Sequence, residues 1–314
     1  RPRLFLWALL GVTALLSAVL TNDIVCLAFT PVICTALAQA GRNPLPYLLG
    51  LAIASNIGSA ATIIGNPQNM LLGQVGNLPF APFLLRCLPP TLLSLAGAGL
   101  LLMLLFRAEF ARAPARPPAR PPTALPPYDR HQARKGMAVT AVLLVLLFTP
   151  LPRELSALVL AGILLCSRRM TTRKLLGGVD WHLITLFCAL FVLIAGIATT
   201  GLPGHLLTVF QSGGEGKGLG QLILLTTGLS NLVSNVPAVM LLARLLPAGD
   251  FTAWVATALA STFAGNLITI GSIANLIVIE GAREHGVKIS FRDHARVGVP
   301  VTALSLLITY FWLH

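Results

Sequence analysis

The sequence is poor in charge. Only 10% of its 314 residues are Asp, Glu, Lys or Arg, against roughly 25% in soluble domains. Mean hydropathy is +0.82, and the longest uninterrupted apolar run covers residues 80–106. Runs of that length and number exclude a single water-soluble core. The five cysteines (Cys26, Cys34, Cys87, Cys166 and Cys188) lie in or beside apolar runs without CxxC spacing. That argues against a disulfide framework or a zinc site. No HExxH or GxSxG pattern occurs, and an intramembrane protease would need a second aspartate at depth. No cleavable leader is evident, and a first membrane helix would serve for targeting. What remains is an all-α polytopic membrane protein with no cofactor expected beyond a coupling ion.

Apolar runs occur at about 4–20, 24–40, 46–75 (interrupted), 80–106, 136–150, 154–167, 182–200, 219–233, 236–247, 251–281 (interrupted) and 297–313. The net charge of +12 could suggest nucleic acid, but its placement argues against that. Residues 107–135 carry seven basic residues and seven prolines, residues 168–174 carry four basic residues, and residues 282–296 carry four more. With Arg1, Arg3 and Arg42, eighteen of the 22 basic residues fall on one side when the segments are threaded alternately. The positive-inside rule makes that side cytoplasmic, in a bacterial inner membrane. The threading needs two re-entrant hairpins, 4–40 and 219–247, whose apolar arms are short for a ~30 Å hydrocarbon core. Their tips read "LTNDIV" (20–25) and "VSNVPA" (233–238).

The interrupted runs match each other without a gap: "LAIASNIGSAATIIGNPQNML" (51–71) lies over "TALASTFAGNLITIGSIANLI" (257–277). The register pairs Ser55 with Ser261, Gly65 with Gly271, and Asn69 with Asn275. Each follows a hairpin and precedes one more span, and the threading gives the two units opposite orientations. The expected architecture is therefore an inverted-topology repeat, each half holding a re-entrant hairpin and a broken transmembrane helix. Residues 1–106 form the first repeat (hairpin 4–40, broken helix 46–75, span 80–106). Residues 107–135 form a cytoplasmic Pro/Arg-rich linker. Residues 136–314 form the second repeat (spans 136–200, hairpin 219–247, broken helix 251–281, span 297–313). Three spans precede the second hairpin and none the first, so three N-terminal helices of the first repeat are expected to be absent from this chain.

Broken segments at matching positions of two halves point to a transport site. Irregular backbone survives at membrane depth only where it lines protein or water. Gly65 and Pro67 are expected to end the helix, exposing N–H groups on one half and carbonyls on the other. Asn66, Gln68 and Asn69 offer donors and acceptors at the break, with Asn56, Ser59 and Thr62 one or two turns earlier. Asn266, Thr269, Ser272 and Asn275 form the matching set around Gly271. The tips add Thr21, Asn22, Asp23, Ser234, Asn235 and Pro237. Asn22, Asn69, Asn235 and Asn275 are candidates for Na⁺. Asp23 alone among the carboxylates sits at inferred mid-membrane depth. A carboxylate there costs ~2.5–3.5 kcal/mol on insertion scales and is usually functional, so it is a candidate proton carrier and also a candidate helix cap. Arg244, in a hairpin arm, either snorkels outward or meets an anion. His182, at the start of a span, and His205, in an outer loop, are weaker candidates.

At these residues the chain resembles the ion transporter superfamily, which takes in arsenite permeases, citrate and divalent-anion symporters, one class of sodium/proton antiporters and the melanosomal P protein. "TNDIVCLAFTPVI" (21–33) is similar to the Asn-Asp hairpin of the arsenite-permease and P-protein branch. "LSNLVSNVPAVMLL" (229–242) is similar to that group's second hairpin, and residues 271–300 to its second broken helix, inner loop and last span. The resemblance implies a scaffold plus a moving transport domain, with the solute between hairpin tips and broken helices, in a homodimer. Carboxylate-transporting relatives read Ser-Asn-Thr at the tips. Asp23 and Val236 depart from that pattern and weaken a dicarboxylate assignment. The expected function is a secondary transporter for a small inorganic or organic anion or an oxyanion-like solute, coupled to H⁺ or Na⁺. A sodium/proton antiporter is the alternative, and a structural membrane subunit the alternative of another class.

Overall fold

A computed structural model describes residues 1–113, 130–149, 151–166, 173, 176, 177, 179, 181–200, 218–247 and 249–314. Most of the linker, including 114–129, and Asp180, His205, Lys217 and the side chain of His182 lie outside the described residues, as do 168–172 and Lys174 of the "RRMTTRK" run. Every regular element among the described residues is helical, as a polytopic membrane protein requires. Large apolar side chains such as Leu15, Leu85, Leu232 and Phe311 stand 68–80% exposed. In water that would be a liability; in lipid it is the favoured surface.

The chain divides into two compact units, residues 122–196 and the remainder. The smaller contains α7 (Arg130–Leu146), α8 (Arg153–Leu165) and most of α9 (Trp181–Ala198). There α7 packs on α8, and Lys135 Nζ donates to the Leu164 and Cys166 carbonyls, both at 3.1 Å, satisfying the α8 C-terminus.

The larger unit holds the sequence-related segments. Its first part runs α1 (Pro2–Leu20), α2 (Asn22–Gln39), α3 (Leu45–Ser59), α4 (Pro67–Val75), α5 (Phe80–Leu105) and the short α6 (Arg107–Ala111). Its second part runs α10 (Gly218–Val233), α11 (Asn235–Leu242), α12 (Phe251–Ala264), a 3₁₀ turn (Thr269–Gly271), α13 (Ile273–Glu284) and α14 (Phe291–Leu313). Pro2 and Pro67 start α1 and α4, where the missing N–H costs nothing. Ser290 and Asp293 form a capping box that starts α14 six residues before the expected span.

Two expectations need correction. The arms of the first hairpin are 19 and 18 residues long, ~28 Å at 1.5 Å per residue, so the argument from short arms fails there. The apolar runs missed Pro2, Arg3, Asn22 and Asp23, which the helices incorporate. The first broken helix ends at Ser59, six residues before Gly65. Pro67 opens the second half-helix instead of ending the first.

Candidate functional site

Both hairpin tips bend at a single residue with left-handed backbone: Thr21 at φ 71°, ψ 145° and Ser234 at φ 77°, ψ 158°. A β-branched residue at positive φ is strained, and such strain concentrates at functional sites. The bend aims the next residue, Asn22 or Asn235, inward; both are at least 93% buried. The Asn22 backbone N–H donates to the Gly65 carbonyl at 3.1 Å, so the first tip lies at the level of the first break. The Asn235 amide likewise abuts Gly265 in the second.

Each break is stabilised by a side-chain amide replacing the missing helical donors. Asn69 Nδ2 donates to the Thr62 and Ser59 carbonyls at 3.0 and 3.3 Å. Asn275 Nδ2 donates to the Gly265 and Ile268 carbonyls at 2.7 and 3.3 Å. These are equivalent positions in the register that pairs Gly65 with Gly271. Gly65 serves close approach: a Cβ there would collide with the Ser59 carbonyl oxygen. Asn66 caps α4 by accepting from Asn69 N–H at 2.9 Å. Its Nδ2 donates to Ser59 Oγ at 2.9 Å.

The two breaks then bond to each other, again at equivalent positions. Asn56 Nδ2 donates to Asn275 Oδ1 at 3.0 Å, while its counterpart Thr262 donates through Oγ1 to Asn69 Oδ1 at 3.4 Å. Ser272 Oγ donates to Asn56 Oδ1 at 2.8 Å, while its counterpart Asn66 donates to Thr262 Oγ1 at 3.2 Å. Asn56 also accepts from Asn22 Nδ2 at 3.0 Å and donates to Asn266 Oδ1 at 2.9 Å. The helices cross over in the same way, with α2 packing on α13 and α11 on α4.

Three buried amide atoms at the tips and breaks have no hydrogen-bond partner among the described residues: Asn22 Oδ1, Asn235 Oδ1 and Asn266 Nδ2. Asn231 Oδ1 is also unpaired and faces Gly271. An unpaired buried polar group costs about 1–3 kcal/mol. Of these four atoms, three are amide oxygens and one is an amide nitrogen. No Arg or Lys among the described residues joins the hydrogen-bonded network.

Of the expected residues, Asn22, Asn56, Ser59, Thr62, Asn66, Asn69, Asn266, Ser272 and Asn275 come together, with Gly65 and Gly271 between them. Thr62 Oγ1 bonds the Ala18 carbonyl at 2.6 Å, tying α1 to the first break. Asp23 lies half-buried in the first turn of α2. Pro67, Gln68 and Pro237 are structural neighbours outside the bonded network, with Gln68 and Pro237 buried. Thr269, in the 3₁₀ turn, is half-buried and also outside it, and Ser234 is exposed at its tip. Arg244 lies beyond the end of α11 and is exposed.

Three contributors were missed. Thr262 was discoverable, because the repeat alignment sets it opposite Asn56. Asn231 Nδ2 donates to the Ala264 carbonyl at 3.2 Å, holding the end of α12. His294, 1% exposed, places Nε2 3.0 Å from the Asn266 carbonyl. In sequence it hides in the basic stretch "FRDHAR", which reads as a solvated loop.

Residues 1–264 match the family described as citrate transporter, CitMHS. An uncharacterized transporter of Mycobacterium tuberculosis (strain CDC 1551 / Oshkosh) is 30% identical over 323 residues, covering 96% of this chain and 75% of its own length. The silicon efflux transporter LSI3 of Oryza sativa subsp. japonica is 29% identical over 361 residues, covering 93% and 74%. A putative transporter named arsB of Dictyostelium discoideum is 24% identical over 425 residues, covering 95% and 73%.

Proposed function

This chain belongs to the citrate transporter family, and we propose that it is a secondary active transporter carrying a small anion or oxyanion-like solute by elevator-like alternating access. Two inverted repeats, each a re-entrant hairpin and a broken helix, would carry the solute in the bilayer as part of a homodimer. The linker 107–135 would face the cytoplasm of a bacterial inner membrane. The observation that carries this reading is the exchanged hydrogen bonding of the two breaks around the unpartnered Asn22 Oδ1, Asn235 Oδ1 and Asn266 Nδ2. The half-helix N-termini at Pro67 and Ile273 add partial positive charge at the same place.

The unpaired groups are neutral amides, which offer both donors and acceptors. That suits a solute bearing hydroxyl groups beside its oxygen atoms. A small oxyacid fits that description, and the printed names of the silicon and arsB relatives point the same way. Among the four amides considered for Na⁺, the oxygens of Asn22 and Asn235 have no hydrogen-bond partner among the described residues. Those of Asn69 and Asn275 already accept from Thr262 and Asn56. Asp23 is the proposed proton carrier.

The test is uptake into proteoliposomes of silicate, arsenite, citrate and succinate, driven separately by pH and Na⁺ gradients. We expect gradient-dependent flux of an oxyacid, lost in Asn235→Ala and severely reduced in Asp23→Asn. Undiminished pH-driven flux in Asp23→Asn would remove Asp23 as carrier. A sodium/proton antiporter would instead produce a lumenal pH jump on adding Na⁺ with no solute present.

A further inference from the structure

A second polar recess lies away from the breaks, where the α2–α3 loop meets α6. It is a cavity of about 210 Å³ lined by Arg42, Asn43, Tyr47, Glu109, Phe110 and Arg112, among others. Its floor is aromatic. Tyr47 stacks edge-on against Phe110 with ring centres 5.7 Å apart and leans on Phe5 at 5.4 Å. The Tyr47 hydroxyl donates to the Pro2 carbonyl at 3.3 Å. These contacts tie the start of α1, the start of α3 and α6 into one corner.

The charged wall is unevenly satisfied. Arg112 Nη1 pairs with Glu109 Oε1 at 2.8 Å. Arg42 Nη1 makes one long contact, 3.4 Å, to the Arg112 carbonyl. A guanidinium has five donors, so most of Arg42's capacity is unused. Two guanidinium groups against one carboxylate leave the recess net positive. Arg1, Arg3 and Arg107 belong to the same basic side in the charge-derived threading. Basic recesses between membrane helices on the cytoplasmic side hold phosphate-bearing headgroups, and guanidinium forks match phosphate geometry.

We infer that this recess is a binding site for a phosphate-bearing anion, with Arg42 and Arg112 as the ligating forks and Glu109 holding Arg112 in place. It is independent of the solute site. Two sources share the chemistry: the headgroup of an anionic phospholipid and a soluble phosphate.

The test is thermal unfolding of the purified full chain in detergent. One arm titrates phosphatidylglycerol against phosphatidylcholine; the other titrates inorganic phosphate against chloride at equal ionic strength. We expect at least one phosphate arm to raise the melting temperature above its control. The titration midpoint should weaken ~10-fold or more in Arg42→Gln/Arg112→Gln, the scale of one charged hydrogen bond. Glu109→Gln should strengthen it, because the amide oxygen still holds Arg112 while the opposing negative charge is gone. Arg292→Gln, an exposed basic residue outside the recess, should leave it unchanged. A response to phosphatidylglycerol alone assigns the lipid as source; a response to inorganic phosphate assigns the soluble anion. No response in either arm, or an unchanged midpoint in the double variant, overturns the proposal. The phosphatidylcholine arm reports whether each variant is folded.

Discussion

The two breaks use one design with different degrees of self-sufficiency. In the first, Asn66 caps its own half-helix, Pro67 starts it, and the chain doubles back so tightly that Gly65 has no room for a Cβ. In the second, the cap position is Ser272, whose hydroxyl is given to Asn56, and a Cβ on Gly271 would meet its nearest neighbours at 3.1 Å, tight but short of collision. The second break is braced from outside, by His294 on the Asn266 carbonyl and Asn231 on the Ala264 carbonyl. It also keeps the unpaired Asn266 amide. The first break is also tied from outside, by Thr62 Oγ1 on the Ala18 carbonyl and by the Asn22 N–H on its Gly65 carbonyl, so the two differ chiefly in how tightly the chain closes at Gly65 and at Gly271.

The helices around the breaks show a related trade of bulk. In the first part, the Trp7 ring lies over Gly99, and in the second, Tyr310 lies against Gly220. Large and small residues have exchanged helices at matching places, so contact is kept with different partners.

The sharpest way to break this comparison is alanine at the two glycines. Gly65→Ala should abolish folded protein, since the added methyl meets backbone. Gly271→Ala should remain folded with a lowered melting temperature. Size-exclusion profiles and thermal unfolding in detergent read both, and equal loss would erase the asymmetry. A smaller effect is expected at the external brace. His294→Phe leaves the buried Asn266 carbonyl without its donor and should cost about 1–3 kcal/mol, whereas His294→Tyr tests whether any donor suffices. If the two variants melt alike, the hydrogen bond contributes nothing. The smallest effect should come from Thr262→Val, about 1 kcal/mol for a 3.4 Å bond to Asn69 and a weak one from Asn66. Asn56→Ala, at the equivalent position, should cost more, because Asn56 serves Asn22, Asn266, Ser272 and Asn275 together.

Much of this was legible because the repeat gave two readings of one site. The alignment located Asn56, Asn66, Asn69, Asn266, Ser272 and Asn275 before any geometry, since an amide in an apolar run is costly unless it serves a break or a cavity. Helix ends were less legible. Ser59 terminates α3 because amides seven and ten residues later in sequence reach back to its backbone carbonyl, and no local signal marks that. The α14 start was written locally, in Ser290 and Asp293, but was masked by surrounding charge. His294 could be found only through its partner, a main-chain oxygen that leaves no trace in composition.

The exchanged bonds between the breaks carry a mechanical consequence. Pulling the two apart would strip three buried donors, Asn56 Nδ2, Thr262 Oγ1 and Ser272 Oγ, of their acceptors at once, roughly 3–9 kcal/mol. That is a large fraction of what holds a typical domain folded. In the transport cycle proposed above, both breaks would therefore ride as one block.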